Sequence, residues 1–306
     1  MEIQIQTQDT ESQIKKEFEK LHQFLREEEA ARIAALREEE ACKIQTVKRH
    51  IEKMNGEITS LSDAIRDLQE MTSLTDIPFL QVKTKYTECY SRAQCTLQDP
   101  QMLSGALINV AKHLGNLKFR VWEKMQDIVQ YTPVILDPNT AHRKLVLSED
   151  LTSVRYTDTE RRLPDNPERY DMYTYVLSSE GFTTGRHSWD VEVEDNTNWS
   201  VGVAVESGGR KGENLWDGVW CVWYLDGEYR ARSPGGSWTR LASRVKLDKI
   251  RVELDCNGGR VSFFGPGHYA HIHTFTQVFT GTIFPLFLNH CEFFPLSILP
   301  VEQQRL

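Results

Sequence analysis

Apolar residues recur alternately three and four positions apart over residues 44–68. The stripe consists of Ile44, Val47, Ile51, Met54, Ile58, Leu61, Ile65 and Leu68. This spacing, kept for more than three heptads, places the side chains on one face of a helix and is typical of the a and d positions of a coiled coil. We therefore predict that the stripe lies in a coiled-coil interface.

The same helix is predicted to extend far beyond the stripe. Residues 10–71 contain no proline and one glycine, Gly56, so a single helix there would be ~90 Å long at 1.5 Å per residue. A second apolar patch, out of phase with the first, consists of Ile14, Phe18, Leu21 and Leu25. A helix this long cannot bury its stripe on itself. We predict that residues 1–75 form a long coiled-coil helix that pairs with a second chain.

An eleven-residue unit occurs twice between the two patches. Residues 26–36 read REEEAARIAAL and residues 37–47 read REEEACKIQTV, with six of eleven positions identical. Eleven residues in three turns relax or reverse the left-handed supercoil of heptads. We assign Ile33 and Leu36 to the dimer interface together with the stripe. The alternative is that this charged stretch is a solvated single helix.

Residues 76–132 are predicted to be helices that fold back along the first one. Pro78 breaks the long helix and is well placed to open the next, which we predict over 79–97. A second amphipathic helix is predicted over 101–130, from the apolar stripe Leu103, Leu107, Val110, Leu114, Leu117, Val121, Met125 and Ile128. Two long and two returning helices would form a four-helix core; the alternative is a small independent bundle.

The second half of the chain has a different pattern. Short runs of alternating apolar and polar residues, such as 187–193, 199–205, 250–255 and 260–264, are separated by turn residues. Asp226-Gly227 and Asn257-Gly258-Gly259 are hairpin signals. Because no helical period intervenes, we predict an antiparallel β-sandwich of ~170 residues over 133–306.

Composition supports this division and excludes several classes. Residues 131–306 hold 15 of 18 glycines, 9 of 11 prolines and 6 of 7 tryptophans, and the net charge is −8. That charge argues against a large basic field for nucleic acid or anionic membrane. No apolar run reaches 18 residues, and the polar start does not fit a signal peptide. Six scattered cysteines without C-x-x-C favour reduced thiols in the cytoplasm or nucleus.

Six ordered blocks of the second half resemble a PRY-SPRY domain. The blocks are 136–150, 162–170, 181–193, 199–203, 254–264 and 279–287. The most specific is 181–193, GFTTGRHSWDVEV, which is similar to the strand pair GF-S/T-x-G-x-H-x-W-E-V of that family. With a coiled coil in front, the whole chain resembles the C-terminal part of a tripartite-motif (TRIM) protein.

This resemblance implies an architecture and a function. The architecture is an antiparallel dimeric coiled coil with fold-back helices, followed by the antiparallel PRY-SPRY sandwich. The function is that of a RING-type E3 ubiquitin ligase, commonly in innate immune or antiviral pathways, in which the sandwich selects a protein substrate and the RING recruits the ubiquitin-conjugating enzyme. The alternative is a non-catalytic scaffold or regulatory protein.

The RING and B-box of the TRIM family are absent from this chain, which has no Cys/His zinc spacing. Zinc is therefore expected only in those domains, and we expect neither a cofactor nor catalytic activity in this chain. The histidines His268, His271, His273 and His290 and Cys291 cluster in sequence; they are either a metal site or strand and surface residues.

An aromatic run at 217–226 carries the best candidate for ligand binding. In a strand, Trp220, Val222 and Tyr224 face one way, and Cys221, Trp223 and Leu225 face the other. One set can pack in the core while the other presents an aromatic side chain to a partner; the alternative is that both sets are buried.

The resemblance places Trp223 and Leu225 at the ligand pocket. The surrounding candidate loops are 156–170, 195–198, 206–216, 232–240 and 289–294. From these loops we take as further contacts of a protein target Tyr156, Asp195, Asn196, Arg210, Asn289 and Phe293.

Overall fold

The computed structural model describes residues 2–73, 87, 104–242, 246–266 and 270–301. Its first element, helix α1, runs from Glu2 to Ser73, so the long helix predicted within residues 1–75 is confirmed. No helix in the described residues is long and apolar enough to cross a membrane. The predicted helix over 79–97 lies outside the described residues, apart from residue 87.

The predicted single helix over 101–130 is wrong in its continuity. The chain instead forms two short helices, α2 (Val110–Leu114) and α3 (Leu117–Met125). Gly115 is extended, and Asn116 has a left-handed φ of 52°. Asparagine and glycine are the residues that most readily leave the right-handed helix. The apolar spacing alone does not show this break, because the stripe continues from Leu114 to Leu117 without a change of period.

The described chain divides into two compact units, Met1–Gln13 with Ile128–Leu306, and Ile14–Asp127. Within the second unit, polar side chains join α1 to residues 104–127, which we call the returning segment. Glu39 accepts hydrogen bonds from the backbone N–H of Asn109 (2.9 Å) and pairs with His113 Nε2 (2.7 Å). The Asn109 hydrogen bond, followed by that of His113, lowers the pKa of Glu39 to about 2. Lys124 donates to Glu28 at 2.8 Å.

The apolar stripe of α1 is divided between two environments. Val47, Met54, Leu61 and Leu68 are half-buried, whereas Ile44, Ile51, Ile58 and Ile65 are 46–58% exposed. Ile33 and Leu36 are also exposed. The second unit of a single chain therefore leaves a line of isoleucines, seven residues apart, open to solvent.

The described residues of the first unit form thirteen strands in two antiparallel sheets. They are β1 (Leu145–Leu147), β2 (Ser153–Tyr156), β3 (Tyr175–Leu177), β4 (Arg186–Glu192), β5 (Asn198–Val205), β6 (Val219–Leu225), β7 (Glu228–Arg232), β8 (Thr239–Arg240), β9 (Lys249–Asp255), β10 (Arg260–Phe264), β11 (His271–Thr276), β12 (Ile283–Asn289) and β13 (Leu296–Ile298). The seven-stranded sheet has the order β1-β2-β13-β4-β9-β10-β11, and the six-stranded sheet the order β3-β12-β5-β6-β7-β8. The predicted antiparallel sandwich is confirmed.

Local turn chemistry explains two of the connections. Asp226 and Gly227 both have positive φ, 46° and 89°, between the paired strands β6 and β7. Two positive φ values match the right-handed twist of a two-residue hairpin, which favours Asp-Gly. Gly259, at φ 61°, serves the hairpin between β9 and β10. Both hairpin predictions are confirmed.

The main core fills the space between the two sheets. Its largest fully buried side chains include Trp199, Tyr229, Phe263 and Phe287. A second cluster of buried residues includes Tyr175, Cys221 and Leu286. Strands β5 and β12 are buried on both faces because each contributes to both clusters.

Candidate functional site

Strand β6 sends alternate side chains to two different clusters, as its sequence predicts. Trp220, Val222 and Tyr224 are buried in the main core. Cys221 belongs to the second cluster, and Trp223 packs half-buried against it. The strand period therefore places Trp223 on the face of the six-stranded sheet that points away from the main core, which we call the outer face.

Four aromatic side chains meet on this outer face and are called here the Trp cluster: Tyr173, Trp216, Trp223 and Trp238. Trp238 lies edge-on to both Trp216 and Trp223, with ring centroids 5.3 Å apart in each pair. Trp216 stacks on Trp223 at 6.4 Å. Edge-to-face and offset arrangements at these distances are favourable aromatic geometries. All four rings are half-buried, so they keep solvent-accessible surface.

The indole of Trp223 is held in a defined orientation. Its Nε1–H donates to Asn198 Oδ1 at 2.8 Å, and Asn198 lies opposite Leu225 in the pairing of β5 with β6. The polar tip of the indole is therefore satisfied while its ring remains available for packing. A fixed aromatic ring loses little conformational entropy on binding, which favours its use as a contact residue.

Three members of the cluster, Tyr173, Trp216 and Trp238, and one arginine were not predicted as site residues from the sequence. Trp216 comes from the 3-10 helix Gly212–Gly218, and Trp238 from the connection between β7 and β8. The Arg232 guanidinium carbon lies 4.3 Å from the centroid of the Trp216 ring and 5.5 Å from that of Trp238. Trp216 and Trp238 both lie in the candidate loops 206–216 and 232–240. A tryptophan in an otherwise polar loop is the sequence signal that could have marked them as site residues.

Leu225 and Phe293 lie at one end of the six-stranded sheet. The backbone N–H of His290 donates to Asn198 O at 3.0 Å, so the loop after β12 adjoins the end of β5 and, through it, Leu225. Phe293 is 81% exposed and Phe294 is 40% exposed. Exposed phenylalanines on an ordered loop are candidates for contact with a partner.

The prediction that Asn196 and Asn289 contact a target is wrong, because both are buried. Asn196 Nδ2 donates to Asn289 Oδ1 at 3.0 Å and to Phe294 O at 2.8 Å. Asn289 donates to Val154 O at 2.9 Å and accepts from the Cys291 N–H at 2.8 Å. The two side chains therefore join the loops 195–198 and 289–294 to the sandwich and position Phe293 instead of touching a partner.

Tyr156 is also buried, and its prediction as a contact residue is corrected. It lies in β2 of the seven-stranded sheet, packs in the main core, and donates its hydroxyl hydrogen to Asp158 at 3.0 Å. Its ring centroid is 4.4 Å from that of His290. Tyr156 thus supports the base of the Phe293 loop from the other sheet.

The remaining predicted contacts are accessible. Arg210 donates to the Tyr170 hydroxyl at 2.7 Å and covers the ring of this buried residue of the second cluster. Burial raises the pKa of Tyr170 to about 12, so the hydroxyl stays protonated at neutral pH. Asp195 is exposed and pairs with Lys246. The structure therefore places Trp223, Leu225 and Arg210 at the outer face or its edge and Phe293 at its end.

Cys221 belongs to the second cluster, against which Trp223 packs. Cys221 is fully buried, and burial raises the pKa of its thiol to about 11, which disfavours the reactive thiolate. Among the described residues, no three His, Cys, Asp or Glu side chains are grouped to hold a metal ion. His268, which belongs to the histidine cluster noted in the sequence, lies outside the described residues.

A groove of about 510 Å³ lies on the seven-stranded sheet. Its walls include Ser188, Lys249, Glu253 and Phe264, and Asp190 forms a two-bonded ion pair with Arg251 at 2.9 and 2.7 Å. Two of the four charged side chains that line the groove, Asp190 and Arg251, are thus paired with each other. The Trp cluster groups four aromatic side chains and is the stronger candidate for protein binding.

Comparison with known proteins gives two domain matches. The SPRY-associated domain, PRY, matches residues 134–182, and the SPRY domain matches residues 186–293. Both matched ranges fall within the sandwich described above.

Three curated relatives are similar along most of the chain. Nuclear factor 7, ovary, of Xenopus laevis is 36% identical over 277 residues, covering 88% of this chain and 45% of the relative. Nuclear factor 7, brain, of the same species is 36% identical over 280 residues (89% and 46%). E3 ubiquitin-protein ligase TRIM69 of Rattus norvegicus is 32% identical over 275 residues (88% and 54%). The chain spans about half the length of these relatives.

Two solved structures are similar to part of the chain, each with a TM-score just under 0.5. The TRIM65 PSpry domain is 20% identical, with a TM-score of 0.49, and covers 61% of this chain and 95% of that one. Stonustoxin is 26% identical, with a TM-score of 0.48, and covers 54% and 28%.

Proposed function

The chain belongs to the TRIM-type PRY-SPRY family, and from this premise we propose that it dimerises and uses its sandwich to bind a protein target. SPRY domains are generally protein-interaction modules. The target would contact the Trp cluster and the exposed Phe293 loop. The proposal rests above all on the half-buried Trp cluster, because an accessible aromatic surface outside the main core is typical of a binding hot spot.

Dimerisation through the second unit is supported by its exposed apolar residues. The isoleucines Ile44, Ile51, Ile58 and Ile65 repeat every seven residues and remain open in one chain. The returning segment also exposes Val110, Leu114, Phe119 and Trp122. A soluble protein rarely leaves so extended an apolar surface uncovered, and we propose that a second copy, antiparallel to the first, covers it. Two sandwiches per dimer would add avidity toward repeated targets.

For the whole protein, we propose the function of an E3 ubiquitin ligase in innate immune or antiviral regulation in the cytoplasm, with the sandwich selecting the substrate. Support comes from the similarity to TRIM69, whose name is that of a ubiquitin ligase. The ubiquitin-conjugating enzyme and zinc would bind a RING outside this chain. The second candidate is a non-catalytic scaffold. Paired zinc-ligand spacings in the gene upstream of this region would favour the ligase.

Replacing Trp223 with alanine is expected to weaken target binding at least 30-fold, because a central aromatic hot spot contributes ~2 kcal/mol or more. The target is first identified by affinity capture with the full chain as bait, and its Kd is then measured by calorimetry with wild type and variant. Phe264→Ala, a half-buried aromatic in the seven-stranded sheet, is the matched control. If the Trp223 variant binds with an unchanged Kd while remaining folded, the contact surface lies elsewhere.

A further inference from the structure

Three arginines surround the Trp cluster on the strands next to Trp223. Arg230 lies directly opposite Trp223 in the pairing of β6 with β7, and Arg240 lies opposite Arg230 in the pairing of β7 with β8. Arg232 lies opposite Cys221, whose side chain shares the outer face. By the strand period, Arg230 and Arg232 face the same way as Trp223.

Arg232 is held against the rings of the Trp cluster. Its guanidinium carbon lies over Trp216 and near Trp238. An indole ring offers no hydrogen-bond acceptor of its own, so these contacts leave the five N–H donors of the guanidinium for other partners. Within the described residues, no carboxylate pairs with Arg232, and its buried Nε has no hydrogen-bond partner. A buried unpaired donor of a charged group is costly unless a ligand satisfies it.

The other two arginines share one acid. Arg230 donates to Glu228 Oε2 at 3.0 Å, and Arg240 contacts Oε1 of the same carboxylate at 2.7 Å. Arg230, Arg232 and Arg240 carry three positive charges against the single negative charge of Glu228, which leaves two in excess. The whole chain has a net charge of −8. The strands β7 and β8 beside Trp223 therefore carry an excess of positive charge on an acidic chain.

We propose that this surface recognises an acidic segment of the target protein, in which an Asp or Glu carboxylate binds the edge of Arg232 and a neighbouring apolar side chain packs on Trp223. The inference rests on the proposed binding function of the Trp cluster. A carboxylate matches the guanidinium fork with two parallel hydrogen bonds. The partly desolvated position between tryptophans strengthens such a charged pair relative to one in open water.

The same residue types could in principle stack and neutralise single-stranded nucleic acid. Nucleic-acid affinity depends on neutralising several phosphates at once. Two excess positive charges on a chain of charge −8 do not form a row of basic residues that could follow a phosphate backbone. The observations favour an acidic protein segment, and nucleic acid is an outcome of the test.

The test is selection of a random 12-residue peptide library on phage against the full chain, with the Trp223→Ala chain as the counter-selection. We expect the peptides that require Trp223 to be enriched in Asp and Glu next to an apolar residue. The strongest peptide is then synthesised with Glu or Asp and, separately, with Gln or Asn. The acidic form is expected to bind at least tenfold more tightly, with an affinity that falls as salt rises.

Variants of the protein assign the effect to the arginines. Arg232→Gln is expected to raise the Kd for the acidic peptide at least tenfold. This variant should also no longer prefer the acidic peptide over its amide form. Arg230→Gln is expected to raise the Kd for the acidic peptide three- to tenfold. Arg230 is exposed, so its replacement should leave the chain folded. The control is Arg186→Gln, an exposed arginine in β4 of the other sheet, which should leave the Kd unchanged. Thermal unfolding of each variant reports its folding.

The outcomes separate the inference from the function on which it rests. Peptides that require Trp223 but are neutral or basic would overturn the acidic partner and leave the binding surface in place. The absence of any peptide that requires Trp223 would overturn both. A labelled 20-nucleotide oligo-dT is tested in parallel. Submicromolar binding of this probe that is lost in Arg232→Gln would overturn the protein partner in favour of nucleic acid.

Discussion

Substituting aspartate at both Ile51 and Ile58 is expected to convert the protein from a dimer to a monomer. Light scattering of the wild type should give twice 35.4 kDa, and the double variant should give the mass of a single chain. In the dimer, each isoleucine would be buried against the second copy, and each contributes ~2–3 kcal/mol when fully buried. An aspartate in its place adds the cost of burying an unpaired carboxylate, several kcal/mol more.

The expected loss is large compared with the stability of the dimer. A dimer with a micromolar Kd is stabilised by ~8 kcal/mol, and two substitutions per chain place four carboxylates in the interface. In the free chain Ile51 and Ile58 are about half exposed, so aspartate there should leave the helix formed. A circular dichroism spectrum that keeps its helical signal distinguishes dissociation from unfolding.

Lys53→Asp with Ser60→Asp is the matched control. Each position is two residues beyond an isoleucine of the line, which is about 200° around the helix, and both are exposed. The control should remain a dimer. A wild-type chain that is monomeric at micromolar concentration, or a double variant at Ile51 and Ile58 that stays dimeric, would contradict the proposed interface.

Asn289→Ala is expected to destabilise the sandwich by about 4 kcal/mol. Asn289 is fully buried and makes hydrogen bonds with Val154, Cys291, Phe294 and Asn196. Each buried polar group left without its partner costs ~1–3 kcal/mol, and the network fixes two loops simultaneously. For a unit of this size, 1 kcal/mol corresponds to ~2–4 °C, so the melting temperature should fall by roughly 10 °C.

Calorimetric and chemical unfolding of the full chain, followed by near-ultraviolet circular dichroism of the sandwich tryptophans, measure this loss. Asn257→Ala is the control, because Asn257 is exposed in the β9–β10 hairpin and makes a single 3.3 Å hydrogen bond to Gly185. It should change stability by no more than ~0.5 kcal/mol. A loss below 1 kcal/mol for Asn289→Ala would mean that water replaces the amide and that the loops do not depend on it.

Many local features of this protein are readable from the sequence. The long helix follows from the absence of proline and the heptad spacing, and the β6–β7 hairpin follows from Asp226-Gly227. The alternation of Trp220 and Trp223 between two faces follows from the period of a strand. Each of these features depends on residues within a few positions of one another, so periodicity and turn chemistry are sufficient to predict them.

The break at Gly115 and Asn116 and the burial of Asn196 were not predicted. The apolar spacing continues across the break, so only the backbone conformation reveals it. Asn196 and Asn289 both look like polar loop residues, yet each is buried because the other satisfies its amide. An amide pair 93 positions apart has no local signature in the sequence.

The sequence by itself determined a long apolar-striped helix, an antiparallel sandwich and the alternation of the β6 side chains between two faces, because each is encoded by periods of two, three and four residues. Only the tertiary structure decided which isoleucines of the stripe remain open, which predicted contacts are buried, and which side chains surround Trp223. Trp216, Trp238 and Arg232 come together through strand order and loop packing. Their positions depend on long-range register, which a single sequence does not display.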